Sequence, residues 1–212
     1  MKLFYTTNSP YARIARVAVI EAGIARSVEQ IPALNRRDDN PVLDFSPVGR
    51  VPTLVADGMV ITETRHVVEF IAAVSGCESL LGPRADNWTA IEQEGQILGF
   101  LDAVAFRVRE DRRGELKSNE LIDVEAKRCD RCLKYLDTEA SGGKLSAFPV
   151  FRSVALASAL DLMELHCFSP LWKTRFEALA AWFSEISSRV SMQETRPVLG
   201  MDKDRVINDN RI

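Results

Sequence analysis

Three short segments of this 212-residue sequence combine residue types that could hold an anionic ligand. The first is Asn8-Ser9-Pro10, which lies between an apolar run and a helical pattern. This order predicts Ser9 as the N-cap and Pro10 as the first helical residue, and capping alone explains both. The same geometry places a small hydroxyl beside helix N–H groups without intrahelical partners. Such groups favour an anion, for example a bound thiolate.

The second segment is Arg50-Val51-Pro52-Thr53, which precedes a strand pattern. Proline cannot donate to a sheet ladder, so Pro52 is expected at the strand entry or in a bend. A cis peptide before Pro52 would leave the N–H and C=O of Val51 free for an extended ligand backbone. A simple loop-to-strand corner explains the segment equally well.

The third segment is Thr62-Glu63-Thr64, which precedes another helical pattern. Thr62 is suited to cap this helix, and Glu63 is suited to the positive end of its dipole. Capping alone would explain both residues.

Other catalytic signals are weak. The two histidines, His66 and His166, are far apart and have no second ligand at helical spacing, so no metal site is expected. Cys129 and Cys132 have CxxC spacing, but they lie inside a helical run. A redox pair needs its first cysteine at a helix N-terminus, so these two are predicted to be ordinary helix residues.

The composition excludes several function classes. The net charge is -3 and the pI is about 5.6, so no general basic field attracts nucleic acid or an anionic membrane. No apolar run is long enough for a membrane span, and no secretory signal is expected from the N-terminal residues. Four cysteines are too few for a disulfide scaffold, so a cytoplasmic protein with reduced thiols is expected.

The secondary-structure patterns divide the chain in two. The first eighty residues predict the order β-α-β-(loop or weak helix)-β-β-α, with Asp57-Gly58 as a hairpin turn. This order indicates a mixed sheet of thioredoxin-like type, although the pattern alone leaves other small α/β folds open. Beyond it the pattern is helical, with long runs over 88–109 and 120–139 and a nearly all-apolar run near residue 160. The predicted units are residues 1–77, a linker over 78–86 and residues 87–212, whose polar tail wraps the surface or frays.

Taken together and in this order, the three segments resemble the glutathione S-transferase family. The quoted matches are SPYARIARVAVIEAGI, NPxxDFSPVGRVPTLVADGMVITET and RVSMQETRP. The resemblance covers nearly the whole chain and is to the bacterial cytosolic type, with a serine-type active site. It implies a thioredoxin-like N-terminal domain with a mixed four-stranded sheet, followed by an all-helical C-terminal bundle domain. It also implies glutathione as co-substrate, no metal, a homodimer and a role in detoxification.

The resemblance also assigns site residues. Ser9 would hydrogen-bond the glutathione sulfur, with Tyr5 at the end of the first strand as its rival. Pro52 matches the family's cis-proline, and the Val51 backbone would pair with the cysteinyl part. The ends of glutathione would be held by Glu63 (amine), Thr64 (γ-glutamyl carboxylate) and Arg50 (glycyl carboxylate). Two departures from the family pattern are Thr64 in place of serine, and Leu156 in place of the Asp that closes a capping box begun by Ser153.

The implied function is thiolate attack of glutathione on an electrophilic, largely apolar small molecule. Its pocket would lie between the domains and be lined by Tyr11, Phe100, Ala103 and Phe106. Two alternatives stay open: a non-catalytic glutathione-binding or protein-interaction member of the same fold, and a thiol-disulfide oxidoreductase. The second is less favoured, because no cysteine occurs in Ser9-Pro10-Tyr11.

Overall fold

The computed structural model describes residues 1–33, 38–82 and 87–198. The sheet half of the protein consists of β1 (Lys2–Tyr5), α1 (Pro10–Glu21), β2 (Glu29–Pro32), β3 (Thr53–Ala56), β4 (Met59–Ile61) and α2 (Thr64–Ser75). The strand order is β2-β1-β3-β4, with β1 parallel to β2 and antiparallel to β3. β4 runs antiparallel to β3. The mixed four-stranded sheet of the sequence prediction is therefore confirmed.

Local chemistry explains the ends of these elements. The β3–β4 hairpin turns at Asp57 and Gly58, whose φ angles of 48° and 80° are those of a tight two-residue turn. α1 begins as predicted, because the Ser9 Oγ accepts a hydrogen bond from the Ala12 N–H at 3.2 Å and Pro10 is the first helical residue. α2 ends at Gly76, which adopts the left-handed conformation of a helix C-cap.

The helical half consists of α3 (Trp88–Asp111), α4 (Asn119–Ser141), α5 (Phe151–Leu165), α6 (Trp172–Arg175), α7 (Glu177–Ser187) and α8 (Val190–Glu194). The two long predicted runs correspond to α3 and α4. Every residue of α5 from Phe151 to Met163 is buried, which confirms the prediction of a helix at the centre of a bundle. α5 packs against α3, α7 and also α1 of the sheet half. One continuous core therefore joins the two halves.

Two predicted caps differ from the structure. The residue before α2 is Glu63 and not Thr62, and the Glu63 side chain makes no capping hydrogen bond. The residue before α5 is Val150 and not Ser153, because the helix begins at Phe151. The Ser153 hydroxyl instead donates to carbonyls of the preceding loop, including that of Val150 at 2.6 Å. The Leu156 position is therefore not part of a capping box here; Leu156 is fully buried.

Parts of the predicted connections lie outside the described residues. In the predicted linker over 78–86, Glu78–Leu80 forms a short 3₁₀ turn and residues 83–86 are not described. The loop before β3 contains a 3₁₀ turn at Pro41–Asp44, and its residues 34–37 are likewise outside. The tail from residue 199 onward is outside too. Of the helices that are described, none combines the length and apolar character that crossing a bilayer requires.

Candidate functional site

A cavity of about 640 Å³ lies between the loops at one end of the sheet and the C-terminal part of α3. The sheet half contributes all three segments that the sequence singled out. From the helical half come residues of α3, α4 and α5. The cavity is lined by Ser9, Pro10, Tyr11, Arg50, Val51, Pro52, Thr62, Glu63, Thr64, Asp102, Phe106, Arg109, Arg112, Glu125 and Arg128, among others. Residues as far apart in the sequence as Ser9 and Arg128 therefore converge as one site.

Ser9 lies where the cavity meets the start of α1. Its Oγ accepts the Ala12 N–H, and its backbone carbonyl accepts the Arg13 N–H at 2.9 Å. A hydroxyl has one proton and two lone pairs, so a capping serine still has a proton to donate. The Tyr11 N–H makes no hydrogen bond within the described part of the chain. Capping and anion binding are thus compatible at this serine.

The segment before β3 forms the second edge of the cavity. The Val51–Pro52 peptide bond is cis, and Val51 is buried. No hydrogen bond joins the Val51 backbone to another described residue, so its polar groups are available to an extended ligand. The preceding Arg50 is exposed and lines the same cavity.

Glu63 and Thr64 form the third edge. Glu63 has φ 66° and ψ 127°, a backbone conformation that residues other than glycine rarely adopt. Such conformations are concentrated at functional sites, where the surrounding structure enforces them. Here the conformation brings an exposed carboxylate to the cavity directly before the positive end of α2.

Tyr11 connects the two halves across the cavity. Its hydroxyl donates to Asp102 Oδ1 of α3. Burial and this hydrogen bond raise the pKa of Tyr11, while the nearby Arg109 guanidinium lowers it by a smaller amount. The phenol is therefore neutral and its proton is engaged by Asp102. Neither Asp102 nor Arg109 was a sequence candidate, because a charged position on a long amphipathic helix is usually a solvated one.

The predicted pocket residues of α3 separate into two groups. Phe106 lines the cavity, whereas Phe100 and Ala103 do not; both are fully buried in the core. At 3.6 residues per turn, the cavity face of α3 carries Asp102, Phe106 and Arg109. Phe100 falls on the opposite face, and Ala103 is about a quarter of a turn from the middle of the cavity face.

Tyr5, the rival of Ser9, does not line the cavity. Its ring packs under the guanidinium of Arg16, whose Cζ lies 4.4 Å from the ring centroid. Of the two candidate hydroxyls, the one facing the cavity is therefore that of Ser9.

Two further contacts support the loop that carries Ser9. Asn8 exchanges two hydrogen bonds with the backbone of Val198, at 3.0 and 2.9 Å. One turn into α1, Arg13 forms an ion pair with Asp161 of α5 at 2.6 Å, and both side chains are buried. Sequence reasoning missed both contacts. An arginine on the otherwise apolar face of α1 was the available signal.

The CxxC cysteines are helix residues, as predicted. Both lie in the middle of α4, and burial raises the pKa of Cys129 to about 12 and also raises that of Cys132. A redox-active thiol needs the opposite shift. Within the described ranges, no group of three or more His, Cys, Asp or Glu side chains is placed to hold a metal ion.

The fold and the cavity define a class of protein: a thioredoxin-like domain with a cis-proline loop, joined to an all-helical domain across a shared cleft. Residues 8–74 match the family model described as glutathione S-transferase, N-terminal domain. The chain therefore contains the N-terminal domain of a glutathione S-transferase, and over its whole length it is similar to proteins of that family.

Individual relatives agree with this similarity. The chain is 27% identical over 203 residues to the uncharacterized GST-like protein YibF of Escherichia coli K12, covering 93% of this chain and 98% of that one. It is similar to a glutathione S-transferase of Methylobacillus flagellatus KT solved with glutathione bound, with TM-score 0.82, 25% identity and coverage of 93% and 99%. A Pseudomonas fluorescens Pf-5 family member with bound S-(propanoic acid)-glutathione matches with TM-score 0.77, 26% identity and coverage of 94% and 100%.

Proposed function

We propose that this protein is a glutathione transferase that uses glutathione as co-substrate and activates its thiol as a thiolate. The single observation that carries the proposal is the position of the Ser9 hydroxyl. It lies at the N-terminus of α1, in the same cavity as the Val51–Pro52 segment and the Glu63–Thr64 pair. These groups have the hydrogen-bonding types that the parts of glutathione require.

In this proposal each edge of the cavity holds one part of the tripeptide. The Val51 backbone pairs with the cysteinyl unit, which extends past Pro52. Glu63 binds the γ-glutamyl amine, and the Thr64 hydroxyl and N–H bind the adjacent carboxylate. Arg50 binds the glycyl carboxylate by charge. The bound sulfur then faces Ser9 at the start of α1.

Thiol activation follows from electrostatics. A free thiol has a pKa of about 8.5, so little thiolate exists at neutral pH. A donated hydrogen bond from Ser9 and the positive end of α1 both stabilise the anion, and therefore lower that pKa. The thiolate attacks an electrophilic carbon of a largely apolar molecule held beside Phe106. With an aryl chloride, a carbon–sulfur bond forms, the carbon–chlorine bond breaks and chloride leaves with the bonding pair. The thiol proton passes to solvent.

Two measurements test this function. Calorimetry with glutathione is expected to show binding, and glutathione with chlorodinitrobenzene is expected to show conjugate formation above the uncatalysed rate. Binding without turnover would identify a non-catalytic glutathione-binding member of the fold. If the protein shows neither glutathione binding nor turnover, the proposal is refuted. Tyr5→Phe is the matched control for Ser9→Ala, and only the serine change is expected to reduce turnover.

A homodimer and a cytoplasmic role in detoxification belong to the same proposal. The sheet half exposes the apolar side chains Leu43 and Phe45 in the loop before β3, and Met59 and Val60 in β4. An exposed apolar surface of this kind favours association. All four cysteines are free thiols, which agrees with a reducing compartment. Sedimentation equilibrium is expected to give twice the 23.7 kDa chain mass, and a monomer would contradict the dimer.

A further inference from the structure

The helical side of the cavity carries charge that thiol activation does not use. We call this surface the helical wall. Its charged members are Asp102 and Arg109 of α3, Arg112 directly after that helix, and Glu125 and Arg128 of α4. Three arginines against two carboxylates leave a net charge of +1. An electrophile pocket for purely apolar molecules has no need of such groups, because burying them against an apolar ligand costs solvation.

Both carboxylates of the helical wall already have partners. Asp102 accepts the Tyr11 hydroxyl. Glu125 is 8% exposed and receives two hydrogen bonds from Arg128, at 2.8 and 3.0 Å. The charge of Glu125 is therefore compensated, and Oδ1 of Asp102 is engaged by the Tyr11 phenol. Arg128 is in turn largely compensated by Glu125.

Arg109 differs from these residues. It forms no ion pair within the described part of the chain, and its side chain is exposed to the cavity. It lies two helical turns after Asp102 on the same face of α3, and its neighbour is the neutral Tyr11 phenol. A guanidinium in a partly enclosed cleft, beside a neutral hydroxyl, is a preformed receptor for a planar anion.

We propose that the second substrate is an electrophile that carries a single carboxylate, and that Arg109 binds this carboxylate. This inference rests on the proposed function and names its substrate class. The charge of the helical wall matches a monoanion. The apolar body of the substrate contacts Phe106, between the Asp102 and Arg109 positions on the same face of the helix. The anions of glutathione itself bind on the opposite edge, at Arg50 and at the start of α2.

The test compares two electrophiles of nearly the same shape, one anionic and one neutral: a chlorodinitrobenzoate and the corresponding chlorodinitrobenzamide. In the unchanged protein the carboxylate is expected to have the lower KM. Arg109→Met removes the charge but keeps the side-chain length. It is expected to raise the KM of the carboxylate at least tenfold, because a charge-assisted hydrogen bond is lost, and to leave the carboxamide and glutathione KM values within twofold.

Two further variants separate recognition from structure. Arg109→Lys restores the positive charge and is expected to recover part of the carboxylate preference. Arg113→Met is the matched control, because Arg113 lies on the same helix end, is exposed and pairs with Glu110 outside the cavity. It is expected to change neither KM. An equal effect of Arg109→Met on both electrophiles, or no effect on either, would overturn the proposal.

A binding measurement decides the question even if no turnover occurs. Dinitrobenzoate and dinitrobenzamide lack the leaving group, so calorimetry reports their binding alone. Dinitrobenzoate is expected to bind at least tenfold more tightly than the amide, and Arg109→Met is expected to abolish the difference. Equal binding of the two probes refutes carboxylate recognition. Failure to bind glutathione in the same instrument refutes the proposed function instead.

Discussion

Asp161→Asn removes the negative half of a buried ion pair that joins α1 to the helical half of the protein. The Arg13 guanidinium is 2% exposed, and the Asp161 side chain is 4% exposed. Arg13 also donates to Thr195 Oγ1 at 3.2 Å and to the Met192 carbonyl at 2.9 Å, so it remains held in place after the substitution. Burial lowers the pKa of Arg13, and Asp161 opposes this shift. The variant therefore leaves the buried Arg13 guanidinium without its counter-ion.

The expected cost follows from burial. Removing one partner of a buried pair destabilises a protein by about 3–5 kcal/mol. Asparagine still offers an oxygen as acceptor, so the lower end, about 3 kcal/mol, is expected. For a chain of this size, each kcal/mol lowers Tm by about 2–4 °C, which gives a fall of roughly 6–12 °C.

The assay is urea unfolding together with thermal melting, with Asp130→Asn as the matched control. Asp130 and Arg175 form an ion pair with the same 2.6 Å separation, but both side chains are about half exposed. That variant is expected to change stability by less than about 1 kcal/mol. A second arm, Arg13→Met with Asp161→Leu, removes both charges. It is expected to cost less than Asp161→Asn alone, because no unpaired charge is left in the core.

Two results would refute this reasoning. Equal destabilisation by Asp161→Asn and Asp130→Asn would show that burial does not determine how much each ion pair contributes to the free energy of unfolding. A double variant less stable than the single one would show that packing and hydrogen bonding of Arg13, and not its charge, dominate the energy.

Three further predictions concern single residues. Ser9→Asp keeps a capping acceptor but cannot donate a hydrogen bond to a thiolate. Tm is therefore expected to stay within a few degrees of that of the unchanged protein. Turnover is expected to fall about 100-fold, and the pH–rate profile is expected to shift upward by at least about one pH unit. Glu63→Gly relieves a positive φ, so stability is expected to rise by about 1 kcal/mol in urea unfolding while the KM for glutathione rises about tenfold. Burial raises the pKa of Cys129 to about 12 in the folded protein. As the pH rises, the same thiol therefore loses its proton in the unfolded chain before it does so in the folded one. Stability is therefore expected to fall between about pH 9 and pH 11, by up to about 1.4 kcal/mol per pH unit from this group, and Cys129→Ala is expected to flatten that slope.

Each of these has a control and a contrary outcome. Ser9→Ala loses the cap and the donor together, so a stability loss equal to that of Ser9→Asp would mean that the aspartate does not cap. Glu63→Ala removes the carboxylate without relieving φ, and a gain in stability there would exclude backbone strain as the cause. For the alkaline slope, Cys167→Ala is the exposed control, and identical slopes for the Cys129 and Cys167 variants would contradict the burial argument.

The features that the sequence determined by itself are those held by local hydrogen bonds. The Ser9 cap, the Asp57-Gly58 turn and the stop of α2 at Gly76 depend on residues within a few positions of each other. Their geometry is therefore contained in short segments of sequence. The same holds for the order of strands and helices, and for the three segments that line one edge of the cavity each. Even here boundaries were uncertain, since Ser153 looked like a cap and is the third residue of its helix.

Tertiary structure alone decided which distant residues meet. Arg13 and Asp161 are 148 positions apart, and Asn8 and Val198 are 190 apart, so no local pattern relates them. The rotation of α3 about its axis placed Asp102 and Arg109 in the cavity and Phe100 in the core. An amphipathic pattern indicates which side of a helix is apolar, but not which neighbour each side faces. That choice depends on how whole helices pack, because their burial energy is shared among many contacts.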